Sequence, residues 1–138
     1  MEYNPFQKLA DGIQLTKGYK MENFALVIED DEDLSAIFVK ALEAAGFKVE
    51  AIRDGKVAQQ RLQETTPRVI VLDMHLPHVD GAILLKQIHE TPELNNTKII
   101  LATADNVRAE LYRDKVNIVL VKPISFSQLR DLSARLKL

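Results

Sequence analysis

At 138 residues, 46% of them hydrophobic and 28% charged, the chain has the size and composition of one globular domain with a single substantial core. A net charge of -2 gives no electrostatic basis for a nucleic-acid surface, and the absence of cysteine excludes disulfides and thiolate metal sites. No apolar stretch approaches the roughly 18 residues that cross a bilayer, and no basic region leads into an apolar one at the start, so a cytoplasmic protein without a membrane partner is expected.

Residues 1–22 stand apart from the pattern that follows. Asn4-Pro5 reads as a helix cap with proline at the first helical position, Gly12 as its end, and Phe6, Leu9, Ala10 and Ile13 as one apolar face. The segment reads as an N-terminal extension, a short arm on its own domain or a partly ordered terminus in preference to a docking or dimerising helix; Met21 is an alternative start of the compact part.

From Asn23 onward strand and helix alternate. Phe24 to Ile28 is an apolar run ending in Glu29-Asp30-Asp31. Leu34, Ile37, Phe38, Ala41, Leu42 and Ala45 then fall on one helical face, closed by Gly46 as a left-handed cap. Phe47 to Ile52 alternates apolar and polar, the pattern of an edge strand. Asp54 caps a helix through Glu64, and Thr65-Thr66-Pro67 stops it. Val69 to Leu72 runs into Asp73, and a helix follows from Gly81 to Glu90. Ile99 to Ala102 runs into Thr103, with a short, weakly amphipathic helix from Asp105 to Asp114. Ile118 to Val121 runs into Lys122-Pro123, and Ser125-Phe126-Ser127-Gln128 has capping-box spacing for the last helix. Five short β-branched runs alternating with five helices predict a doubly wound α/β sheet.

In such sheets the ligand sits beyond the carboxyl ends of the strands. There the runs deliver carboxylates (Glu29, Asp30, Asp73), a hydroxyl (Thr103) and an ammonium (Lys122). Each alone has a structural reading: acidic stretches start helices, a lone Asp forms turns, and Lys-Pro makes a loop. Four at one edge are poorly explained that way. Two carboxylates about 4 Å apart repel by about 4 kcal/mol at an effective dielectric near 20, so three in one pocket are poorly tolerated without a cation. Oxygen-only donors favour a hard ion, Mg²⁺ foremost. Asp73 is then a nucleophile able to form an acyl phosphate, with Thr103 and Lys122 on the phosphoryl oxygens.

The acidic pair Glu29-Asp30, the segment VIVLDMHLPHVDG with Asp73, Pro77, Asp80 and Gly81, the run IILATAD with Thr103, and VKP with Lys122 and Pro123 occur in one order and spacing. With these residues the chain from Asn23 to Leu138 resembles the receiver domain of two-component response regulators. The resemblance implies a flavodoxin-like five-stranded parallel sheet of order 2-1-3-4-5 with helices on both faces. It implies Asp73 as phosphoacceptor, with a histidine kinase or phosphotransfer protein as donor. Mg²⁺, replaceable by Mn²⁺, would be held by Asp30, Asp73 and the backbone carbonyl of His75, with Glu29 close by through water. Thr103 and Lys122 would contact the phosphoryl group, and the Lys122-Pro123 bond would be cis. Chemically, His75 invites a metal or acid–base role. The resemblance instead places its side chain, with that of Asp105, beside the path of hydrolytic water, tuning phosphate lifetime. His78 and His89 are expected to face solvent without a role.

The chain departs from the family pattern at Val119, where many receivers carry Tyr or Phe. The familiar pairing of a moving threonine with a turning ring therefore lacks its ring, and the switch face rests on Thr103 and Val119. The segment from Thr103 to Lys122 is short, with Val116-Asn117 where a small-residue and acidic pair is usual. The expected function is a stand-alone, phosphorylation-controlled switch that catalyses only its own phosphorylation and dephosphorylation and acts on a protein partner or through a homodimer. The alternatives are a receiver cut from a longer transcription regulator or hybrid kinase, a module that is never phosphorylated, and a Mg²⁺-dependent aspartyl phosphatase. The last calls for an acid where His75 stands.

Overall fold

The computed structural model describes residues 23–138; the extension expected over 1–22 lies outside the described residues. The elements, in chain order, are β1 (Phe24–Ile28), α1 (Glu32–Ala44), β2 (Lys48–Ile52), α2 (Gly55–Glu64), β3 (Val69–Asp73), α3 (Gly81–Glu90), β4 (Lys98–Thr103), α4 (Asn106–Tyr112), β5 (Ile118–Val121) and α5 (Phe126–Ala134). The strands form one parallel sheet of order β2-β1-β3-β4-β5, as the resemblance implied. β1 and β3 are buried along their whole length, whereas β2 is exposed or half-buried except at Ile52 and lies at an edge.

The period-two alternation of the central strands divides the interior into two cores. Leu26, Ile28, Ile70, Leu72, Ile99 and Leu101 face Ala58 and Leu62 of α2 and Leu84, Leu85 and Ile88 of α3. Ala25, Val27, Val69, Val71, Ile100 and Ala102 face Phe38, Ala41 and Leu42 of α1 and Leu129 of α5. Apolar runs readable on both faces are what a sheet covered on both sides requires.

Caps fix where the helices begin. Asp31, Asp54, Asp80, Asp105 and Ser125 each accept hydrogen bonds from backbone N–H groups of the first turn. Gly46, at φ 104°, ends α1 in the left-handed region as its position predicted. The expected helix from Asp105 to Asp114 is shorter than that: Asp105 is the cap, α4 ends at Tyr112, and a 3-10 turn (Arg113–Lys115) follows. Only Ala109 of α4 is fully buried, so little packing holds a longer helix. β2 begins at Lys48 rather than Phe47, whose N–H donates to the Leu42 carbonyl at the end of α1 while its ring is buried in the core. Among the described residues no helix is long and apolar enough to cross a membrane.

Candidate functional site

The register sets the chemistry level. Ile28 pairs with Leu72, so Glu29 and Asp73 follow side by side; Asp73 pairs with Ala102 and Thr103 with Val121, which brings Thr103 and Lys122 to the same edge. Glu29, Asp73 and Thr103 are buried, at 1%, 3% and 0% exposure. One oxygen from each of Glu29, Asp30 and Asp73 falls within 4.8 Å of the others. From the far side of β4, Lys122 reaches across with Nζ 2.8 Å from Glu29 Oε1 and 3.5 Å from Asp73 Oδ1.

Burial pushes the Glu29 carboxyl up to about 7, against the pull of Lys122 and with the Asp73 charge adding to the rise. Burial also raises Asp73, opposed by the His75 N–H at 3.2 Å from Oδ1 and by Lys122. Burial works against the Lys122 ammonium, but Glu29 and Asp73 outweigh it and raise its pKa. The Asp31 N–H donates to Glu29 Oε2 at 3.2 Å, while Oε1 has the Lys122 charge beside it without an aligned hydrogen bond. Ionising all three carboxylates against one ammonium would leave an excess of negative charge beside two buried side chains, which is why burial holds protons on the cluster when no cation is bound. A hard divalent cation with oxygen ligands fits that donor set and that imbalance.

Of the residues singled out by sequence, Glu29, Asp30, Asp73 and Lys122 form one cluster. Thr103 stands at the adjoining strand end, where its Oγ1 accepts a hydrogen bond from the Asp105 N–H at 3.0 Å. Asp105 uses Oδ1 to cap α4, receiving the N–H groups of Val107 and Arg108. The His75 side chain is exposed. Val119 is half-buried against the core beneath α2 and α3. The Lys122-Pro123 bond is cis. His78 and His89 are solvent-facing but not idle: His78 Nδ1 lies 2.5 Å from Asp54 Oδ2, and His89 Nε2 lies 2.8 Å from the Lys115 carbonyl.

Sequence reading missed Arg108. Its guanidinium binds both carboxylate oxygens of Asp80, at 3.2 and 2.9 Å, and the Met74 carbonyl at 3.1 Å. Asp80 in turn raises the Arg108 pKa and is itself held below the usual carboxylate range. A charged residue on a short helix gives no signal of this; its partners lie in a different loop, far away in sequence.

The family model described as response regulator receiver domain matches residues 25–134. Over 123 residues the chain is 33% identical to the probable methanogenesis regulatory protein FilR2 of Methanothrix harundinacea, covering 81% of this chain and 79% of that protein. It is 38% identical over 114 residues to the phosphate regulon transcriptional regulatory protein PhoB of Rhizobium meliloti, covering 80% of this chain but only 49% of PhoB. The fold is shared with the receiver domain of the sensor histidine kinase PA1611 from Pseudomonas aeruginosa, a structure with a magnesium ion coordinated in its active site cleft. The TM-score is 0.73 at 22% identity, covering 83% of this chain and 96% of that one. A matched segment that begins inside β1 and ends at the last residue of α5 embraces the whole sheet and its acid edge, and the chain accordingly belongs to the response regulator receiver domains, modules of phosphorylation-dependent signalling.

Proposed function

We propose that residues 23–138 are a receiver in which Asp73 takes a phosphoryl group from a histidine kinase or a phosphotransfer protein. The observation that carries this reading is the Lys122 ammonium placed between Glu29 and Asp73 at the edge of a three-carboxylate cluster. The carboxylates of Asp30 and Asp73 and the backbone carbonyl of His75 would hold Mg²⁺, with Glu29 alongside through water and Mn²⁺ as a substitute. The bound ion would neutralise charge on the phosphoryl oxygens.

In the transfer an Asp73 oxygen attacks phosphorus, the P–N bond of the donor phosphohistidine breaks, and the imidazole leaves with the electron pair. In hydrolysis a water oxygen attacks phosphorus, the acyl phosphate P–O bond breaks, and the Asp73 carboxylate, inorganic phosphate and a proton released to solvent result. Lys122 pairs with one phosphoryl oxygen, and the Thr103 hydroxyl donates to another. The side chains of His75 and Asp105 border the approach of water and set the lifetime. An aspartyl phosphatase calls for a carboxylic acid where His75 stands, so the residue that chemistry uses on the leaving group is not present in kind, and turnover of outside esters is not the reading favoured.

The output runs through Thr103 and Val119 to the exposed apolar residues Val107, Leu111, Val121 and Phe126, a face suited to a downstream protein or a second copy of the chain. Phosphorylation biases a pre-existing equilibrium of that face. The test is intact mass after incubation with Mg²⁺ and a small acyl-phosphate donor. One phosphate adduct is expected, lost in Asp73→Asn and with chelator; no adduct on folded, metal-supplied protein would refute the reading.

A further inference from the structure

Asp73 Oδ1 accepts its hydrogen bond from the His75 N–H, and that N–H shares one planar peptide unit with the Met74 carbonyl. The carbonyl edge of the same plane is held from two sides: the Gly81 N–H donates to it at 3.1 Å, and Arg108 of α4 donates to it at 3.1 Å. Whatever turns the carbonyl edge turns the N–H edge, so α4 is connected to the Asp73 carboxylate through one rigid plate. The connection is also electrical, because a cationic donor on a carbonyl polarises its peptide and strengthens the opposite N–H as a donor.

The arginine is itself well aimed. Asp80 grips it with both oxygens while using Oδ1 to cap α3 at the Ala82 N–H. Its backbone N–H is fixed by Asp105, whose own N–H reaches Thr103 Oγ1. α4 has few other anchors: Ala109 is buried, Tyr112 packs partly on the core, and Val107 and Leu111 are 76% and 63% exposed. In a chain where Val119 replaces the ring that many receivers turn inward, this bracket supplies a direct mechanical link between the acid site and α4.

We infer that Arg108 is a positioning residue for Asp73: through the Met74–His75 peptide it orients and strengthens the N–H that holds the phosphoacceptor carboxylate, and by the same bond it ties the state of Asp73 to the first turn of α4. This rests on the receiver reading for its purpose, but the bracket has its own readout. Because coupling is reciprocal, a change at Asp73 must be felt at α4 and a change at Arg108 must be felt at His75.

The experiment is amide hydrogen exchange and ¹⁵N–¹H NMR on the full chain, metal-free, for wild type, Arg108→Met, Arg108→Lys and Asp80→Asn. Each protein is compared with its Asp73→Asn counterpart. In Arg108→Met the His75 amide is expected to shift upfield and to exchange about tenfold faster than in wild type, the scale of one lost charge-assisted bond, while core amides keep their rates. Arg108→Lys should restore part of that protection. Asp73→Asn should alter protection at Val107 to Ala109 in wild type and leave it unaltered in Arg108→Met. A uniform loss of protection over the whole sheet, or an unchanged His75 amide, would reduce Arg108 to a structural residue. Should Arg108→Met not fold, Asp80→Asn keeps the α3 cap acceptor, loosens the guanidinium and is read in the same way. Phosphate uptake by wild type, scored separately by mass, decides the receiver reading whichever way the His75 amide behaves.

Discussion

Glu29 is the residue whose protonation follows most directly from its surroundings. Its carboxyl is raised from 4.5 to about 7 by burial, with Asp73 adding to the rise and Lys122 resisting it. A raised carboxyl binds its proton more tightly in the folded state. Its contribution to stability is therefore complete below the unfolded pKa and is lost as pH climbs through about 7. Metal-free protein should thus weaken between about pH 5 and 8, and Glu29→Gln should flatten that decline; urea midpoints across the range, with chelator present, measure it. Were wild type and Glu29→Gln to show parallel profiles, burial would not govern this site. Glu29, Asp30, Asp73, Thr103 and Lys122 were legible because each terminates an apolar run, and a parallel sheet gathers such termini. Arg108 was not, because its role depends on a contact between α4 and a loop whose conformation Gly81 and Asp80 determine.

That loop is governed by one element boundary. A Cβ on Gly81 would stand 2.6 Å from the Asp73 carbonyl oxygen and 2.6 Å from Met74 Cα, both backbone atoms with nowhere to retreat. Gly81→Ala is therefore expected to cost about 1–3 kcal/mol, as overpacking does, and to move the Asp73 and Met74 backbone. Chemical denaturation gives the first, and the NMR shifts of residues 73–75 the second. A second element-scale prediction concerns Asn117, which donates its N–H to the Ile99 carbonyl and accepts the Ile99 N–H on Oδ1, at 3.0 and 2.8 Å. Its side chain imitates one more residue of backbone at the entry to β5. Asn117→Ala should lose about 1 kcal/mol and fray the β4–β5 pair, detectable as faster exchange of the Ile99 amide. The five strands were legible as β-branched runs and most helices as capped amphipathic segments. α4 was overextended because weak amphipathicity gives a helix end no clear stopping point, and the 3-10 turn of Arg113–Lys115 has no sequence signal comparable to a cap or a glycine.

Across the molecule the sheet separates two apolar cores, and the acid edge lies where neither core can compensate its charge. Occupation of that edge by Mg²⁺ should therefore stabilise the whole domain, by about 2.7 kcal/mol at an ion concentration one hundred times the dissociation constant. Thermal melts with Mg²⁺ and with chelator test this; the gain should shrink in Asp30→Asn, and an identical melting temperature with and without the ion would count against a metal site.

The opposite pole has its own closure. Arg68 Nε donates to the Leu136 carbonyl at 2.6 Å, and the Leu138 N–H donates to Asn23 Oδ1 at 3.1 Å, so the first and last described residues are hydrogen-bonded neighbours. The described chain thus enters and leaves at one place, at the amino ends of the strands, with the acid edge at the other end. Within residues 23–138, chain entry, chain exit and the bonds that join them are gathered at one end, and the carboxylates and the ammonium at the other, so the two jobs of anchoring and of chemistry share no residue.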